Sequence, residues 1–170
     1  SSSYSQKGIH VVIDSDQPEV VVYAHMFANA RSAATLVLPT TIIGSQYYVM
    51  GYDQTTVATS TGSGKFTYTI VATQANTTVL IHPRKNNISL GGTPIKVTLA
   101  NAGDVYQFLG DDDYTGTYIE IDPSSPSQTF AVFSGSSGTV IPITCVDLLK
   151  NNRSYDPLFQ QLYPVNLWGK

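Results

Sequence analysis

Three consecutive carboxylates, Asp111, Asp112 and Asp113 in the run from Gly110 to Tyr114, are the densest cluster of chemistry-bearing side chains in the chain. Like charges that close repel, so such a run is either fully solvated or holds a hard cation, calcium first, on oxygen ligands. Both readings stay open, because the spacing lacks the alternating Asp and the distal Glu of an EF-hand loop. Asp14 and Asp16 offer a second, smaller acidic cluster. Glycoside hydrolysis would need two carboxylates roughly 5 to 10 Å apart across a cleft, and no pair here identifies itself.

The remaining reactive side chains point to no reaction. His10, His25 and His82 stand at or inside apolar runs and match neither His-x-x-x-His nor any pairing with Cys-x-x-Cys, so they read as strand histidines and zinc is not expected. The single Cys145 reads as a small buried hydrophobe, with a bond to something outside the segment as the alternative. A cysteine nucleophile needs a base and an orienting group, and the chain order brings none to it. Asn76-Thr-Thr, Asn87-Ile-Ser and Asn152-Arg-Ser have the glycosylation pattern, though in a chain rich in Asn, Ser and Thr such triplets also arise by chance. The Asn76 turn has a backbone reason of its own, since Asn tolerates the left-handed region.

Whatever positions these residues must be a domain of low charge. The 170 residues suffice for one well-buried domain spanning 1–170, and only 12% of them are Asp, Glu, Lys or Arg, about half the usual share. A surface that is polar without being ionic is common in secreted β-proteins. The net charge of −3 and the lack of a Lys/Arg run argue against a nucleic-acid partner. No stretch of about 18 apolar residues occurs, so no helical membrane span is expected. No signal peptide is present and the chain does not begin with Met, which reads as a mature or excised segment of a longer polypeptide.

Helical periodicity is nearly absent. Alternating apolar segments recur near 8–14, 19–25, 34–38, 46–52, 66–73, 77–82, 94–100, 104–109, 117–121, 128–134 and 138–144. Separated by Gly, Pro, Asn and Asp turns, they predict an all-β fold, an antiparallel β-sandwich or barrel-like domain with more than a third of residues in strands. The segments 66–73 and 77–82 read as one hairpin, and 94–100 and 104–109 as another. Helix is confined to Asp147–Asn152 and a turn near Pro157–Gln161.

An internal duplication is also expected. Gly8–His25, GIHVVIDSDQPEVVVYAH, returns in degenerate form 108 residues later as Gly116–Ser134, GTYIEIDPSSPSQTFAVFS. A second echo relates Leu38–Val49 to Leu162–Lys170, so pseudo-repeats near 8–52 and 116–170 should form equivalent strand-turn-strand units. The same echo sets Trp168 opposite Ile43, each followed by Gly, and predicts that the only Trp is a core anchor.

The segments GIHVV…SDQPEVVVYAH, ATLVLPTTIIGSQYYVMGY, IVATQANTTVLIHP, GTPIKVTLANAGDVYQ, YTGTYIEI, FAVFSGS and LFQQLYPVNLWGK together resemble the IgG Fc-binding protein N-terminal family. The likeness is to its bacterial, Bacteroidetes-type members in large secreted or surface proteins, and it covers Gly8 to Lys170. Its most diagnostic pieces are Val71–Val79 and Tyr163–Lys170. Family members often carry paired Cys after the segment that begins at Phe133. This chain has only Cys145, which rules out an intradomain disulfide. The resemblance implies no catalytic residues and an extracellular, non-catalytic adhesion module whose ligand is a glycoprotein, a glycan or another surface protein. The alternative is a calcium-assisted carbohydrate-binding module, using the acidic run and exposed Tyr that stack on sugar rings.

Overall fold

The structure, a computed structural model, describes residues 1–28, 31–52, 64–139 and 156–169. In chain order its strands are β1 (Ser2–Ser5), β2 (Val22–Ala28), β3 (Arg31–Val37), β4 (Gln46–Tyr48), β5 (Phe66–Ala72), β6 (Thr77–His82), β7 (Arg84–Lys85), β8 (Ile88–Ser89), β9 (Ile95–Leu99), β10 (Val105–Gly110), β11 (Tyr118–Ile121), β12 (Phe130–Thr139) and β13 (Asp156–Gln161). A single 3-10 turn, Val165–Leu167, is the helical element among the described residues. About half of those residues are in strands, as the alternating pattern predicts.

Two open antiparallel sheets carry the fold, ordered β1-β10-β5-β12-β13 and β4-β11-β6-β9. Neither closes into a barrel, so of the two expected architectures the sandwich is the one observed. Alternation decides which side chains meet in between. Phe66, Tyr68, Ile70 and Ala72 of β5 point inward, with Phe130 and Val132 of β12 beside them. They face Tyr47, Val79, Ile81, Val97, Leu99 and Ile119 from the second sheet. A tyrosine hydroxyl ties the two sheets together across this core. The Tyr47 hydroxyl donates to the Phe130 carbonyl at 2.8 Å and accepts from the Gly44 amide at 2.8 Å, so it is satisfied although buried. Burial pushes that hydroxyl's pKa up to about 12, against a smaller lowering effect of the Gly44 amide.

The expected hairpins 66–73/77–82 and 94–100/104–109 are not hairpins. β5 and β6 lie in different sheets, and so do β9 and β10. Each connection is an arch over the end of the core. The two arches bond to each other through Asn76 N to Ala100 O at 3.0 Å and Gly103 N to Ala72 O at 2.8 Å. Asn76 does take the left-handed conformation expected of it, with φ 57°. Lateral pairing instead joins β5 with β10 and β12, and β6 with β9 and β11. Period-two patterning says which face of a strand is apolar. It does not say whether the next strand lies beside it or across the core.

The expected duplication does not appear as equivalent structure. Residues 8–14 form no strand and are exposed, held at Gly8 by one bond to the Gly103 carbonyl at 3.0 Å. Their counterpart contains β11, a central strand. After the turn, β2 pairs with β3 in a separate two-stranded ribbon, whereas β12 sits inside the five-stranded sheet. The turn expected near 157–161 is the edge strand β13, which pairs with β12. Pro157 is tolerated there because an edge position leaves one side of the strand without ladder bonds. The β3 ribbon reaches this edge through side chains: Leu38 N donates to Gln161 Oε1 at 2.8 Å, and Gln161 N to Thr35 Oγ1 at 3.0 Å. Asp147–Asn152, Asn152-Arg-Ser, Cys145 and most of 138–144 lie outside the described residues.

Candidate functional site

The acidic run follows β10 and lies against the β7–β8 ribbon and the start of β5. Each carboxylate has a partner of its own. Asp111 pairs with the Lys65 ammonium, Asp112 Oδ2 with Lys85 Nζ at 2.7 Å, and Asp113 Oδ1 accepts the Thr115 amide at 2.8 Å. Asn86 ties the ribbon to the same loop, donating its amide to the Asp113 carbonyl at 2.7 Å and accepting from the Asp113 amide at 3.2 Å. The hydrogen bond from Lys85 is the main reason the Asp112 carboxyl is held below its ordinary range, and the same bond raises the Lys85 ammonium. Among the described residues, no group of three or more His, Cys, Asp or Glu side chains is arranged to hold a metal ion. Asp112 and the Asp113 backbone thus hold the loop to the β7–β8 ribbon, and Asp111 holds it to the start of β5.

The three histidines are on separate elements. His10 is in the exposed N-terminal segment, His25 is on β2 with its ring 6.5 Å from Phe27, and His82 ends β6. His82 belongs to a larger arrangement on the outer face of the four-stranded sheet. Register puts Tyr48 of β4 beside Tyr118 of β11, and Tyr118 beside His82 of β6. The centroids are 4.9 Å apart for Tyr48 and Tyr118 and 5.5 Å for Tyr118 and His82. Trp168 extends the row, 5.7 Å from Tyr48. Four rings thus run side by side across three strands and the C-terminal segment.

Trp168 is therefore not the core anchor expected of it. It is 47% exposed, and its indole Nε1 donates to the Tyr163 carbonyl at 3.2 Å. Leu162 and Pro164 are buried, with Pro164 packed against Gly44 so closely that a Cβ on that glycine would collide with it. The 3-10 turn then carries the chain outward, leaving Trp168 on the sheet's outer face. Ile43 is buried, but the two segments are not equivalent, so its burial does not transfer.

A polar row runs beside the rings. Register aligns Gln46, Glu120, Leu80 and Lys96. Glu120 serves two of the rings: the Tyr118 hydroxyl donates to Oε2 at 3.1 Å, and His82 Nε2 lies 3.0 Å from Oε1. Burial first, and then the bond and charge of Glu120, push the Tyr118 hydroxyl up to about 12. Lys96 Nζ pairs with Asp122 Oδ2 at 2.9 Å. Glu120 and Lys96 thus have their hydrogen-bond partners within the protein, and what this face offers outward is aromatic surface of a kind that binds by stacking and apolar contact. Tyr48, Tyr118 and Glu120 were not singled out by sequence reasoning. The signal was present in the alternation of Tyr47 with Tyr48 and of Tyr118 with Glu120 across Ile119, but alternation alone does not tell the inner face from the outer.

An antiparallel sandwich that buries one face of each sheet and exposes a row of rings on the other defines a class, an all-β domain with a solvent-facing aromatic platform. The chain belongs to the IgGFc binding protein family, whose model matches residues 33–170. This is a family of binding domains found in secreted or surface proteins, not a family of enzymes. No curated protein and no solved structure matches the chain. No helix among the described residues is long and apolar enough to cross a membrane.

Proposed function

We propose that the chain is a non-catalytic adhesion module of a larger secreted or cell-surface protein, and that it engages a protein or glycoprotein through the outer face of its four-stranded sheet. One observation carries this reading, the row Trp168, Tyr48, Tyr118 and His82. Tyr and Trp are the residues most enriched among interface positions that dominate binding, because they cover a large area for little loss of rotamer freedom. Tyr48 is 39% exposed and Trp168 47%, so a partner laid on the row would remove substantial apolar surface from water.

The Fc region of immunoglobulin G is the first probe, because the family's name offers it, with glycoproteins and free glycans as the second. With any immobilised partner that binds, Tyr48→Ala and Trp168→Ala should each weaken binding about tenfold or more while the fold still melts cooperatively. Undiminished affinity in both variants would move the contact surface elsewhere. Calcium has no part in this reading. A melting temperature that rises with calcium and returns with EDTA would assign a cation to Asp111, Asp112 and Asp113 after all.

A further inference from the structure

The outer face of the five-stranded sheet holds a cleft of about 250 Å³ where the β2–β3 ribbon approaches β12 and β13. Its floor is set by register. One row across the strands is Gln107, Thr69 and Phe133, and the next is Leu109, Thr67, Gly135 and Phe159. The Phe133 and Phe159 rings stack with centroids 5.3 Å apart and planes 10° apart, forming one wall. Gly135 lies between Thr67 and Phe159 with the Leu158 backbone closed against it. A Cβ there would run into the Leu158 carbonyl, and its φ of 153° is open to glycine.

The hydroxyls of Ser134, Ser136 and Ser137, which also line the cleft, are bonded within the protein, but three polar groups of the floor are uncommitted. Thr67 Oγ1 is buried without a hydrogen-bond partner, a condition that costs stability unless something fills it. The Thr69 hydroxyl and the Gln107 amide make no hydrogen bond among the described residues. Among the described residues no carboxylate or lysine lines the cleft, and the one charged residue there, Arg31, is already engaged.

We infer that this cleft is a binding site for one neutral sugar ring, such as a terminal residue of a glycan. A sugar has an apolar C–H face to lie on Phe133 and Phe159, and hydroxyls that both donate and accept, which is what Thr67, Thr69 and Gln107 require. An aliphatic or aromatic side chain would cover the rings but leave those three groups desolvated and unpaired. The volume falls below the roughly 300 to 1,000 Å³ of sites for drug-sized ligands, so the cleft takes one ring rather than a chain of them. The inference rests on the reading of the chain as a binding module, but not on the aromatic row, which lies on the other sheet.

Amide NMR titration of the whole chain with the methyl glycosides of glucose, galactose, mannose and N-acetylglucosamine tests it, with p-cresol as the aromatic control. At least one glycoside should shift the amides of Thr67, Thr69 and Gly135 and leave those of Tyr48 and Tyr118 in place. Thr69→Val and Gln107→Ala should each weaken that binding about tenfold. Thr67→Val should weaken it similarly while holding or raising the melting temperature, because it deletes an unpaired buried hydroxyl. The inference is overturned if no glycoside shifts the cleft amides, if all three variants bind as the parent does, or if p-cresol shifts them more than any glycoside. Glycoside shifts confined to Tyr48, Tyr118 and Trp168 would also overturn it, yet would leave the proposed binding function standing.

Discussion

GIHVVID at residues 8–14 and GTYIEID at 116–122 follow the same pattern, and the fold treats them in opposite ways. Val11 is 54% exposed where its counterpart Ile119 is fully buried. Ile9 is 92% exposed where Thr117 is enclosed, and exposed Asp14 answers to buried Asp122. The difference is one of partners. β11 has β4 on one side and β6 on the other, and the first sheet lies against its inner face, whereas residues 8–14 have no strand beside them among the described residues. A strand-like sequence becomes a strand only where neighbours satisfy its backbone and cover its apolar side.

The largest test of that contrast is volume. Ile119→Ala should cost about 2 to 5 kcal/mol, because it opens a cavity between two sheets. Val11→Ala should stay within about 0.5 kcal/mol. Denaturant unfolding of both variants measures the pair, and equal costs would mean that the N-terminal segment is packed in solution. Next comes a partly buried polar contact. Thr117 Oγ1 accepts the Arg84 amide at 3.1 Å, so Thr117→Val should cost about 1 to 3 kcal/mol by leaving that amide unpaired. Ile9→Ala, at the matching place, should be silent in the same assay.

A third effect is confined to acid. The Asp122 carboxyl is held down to about 2, first by the Ser124 hydroxyl, then by the Ser124 amide and by Lys96. With its folded value below the ordinary 3.8, its stabilisation is complete above that pH and is lost as the pH falls toward 2. The melting temperatures of the parent and of Asp122→Asn should therefore differ at pH 5 and converge near pH 2. A constant difference would show that the contacts, not the charge, matter. The smallest effect belongs to Trp168. Trp168→Ala should cost about 1 kcal/mol, well short of the roughly 3 to 5 of an enclosed aromatic, and the parent's emission should already lie near that of a solvated indole. A blue-shifted emission would restore Trp168 to the core.

Alternation and turn chemistry made the sheet content and most strand positions legible, because side-chain period and positive-φ residues are local properties. Phe66-x-Tyr68-x-Ile70 announces a face to be buried, and Asn76 announces a turn. The motifs at Val71–Val79 and Tyr163–Lys170 carried the family. What local pattern cannot carry is which strand lies beside which, and three readings failed on that point. Two arches read as hairpins, two unlike segments read as a repeat, and Trp168 borrowed the burial of Ile43. The aromatic row and the sugar-sized cleft depend on the same information. Each is assembled from at least three strands far apart in the chain, and hydrogen-bond register between distant segments decides which side chains become neighbours.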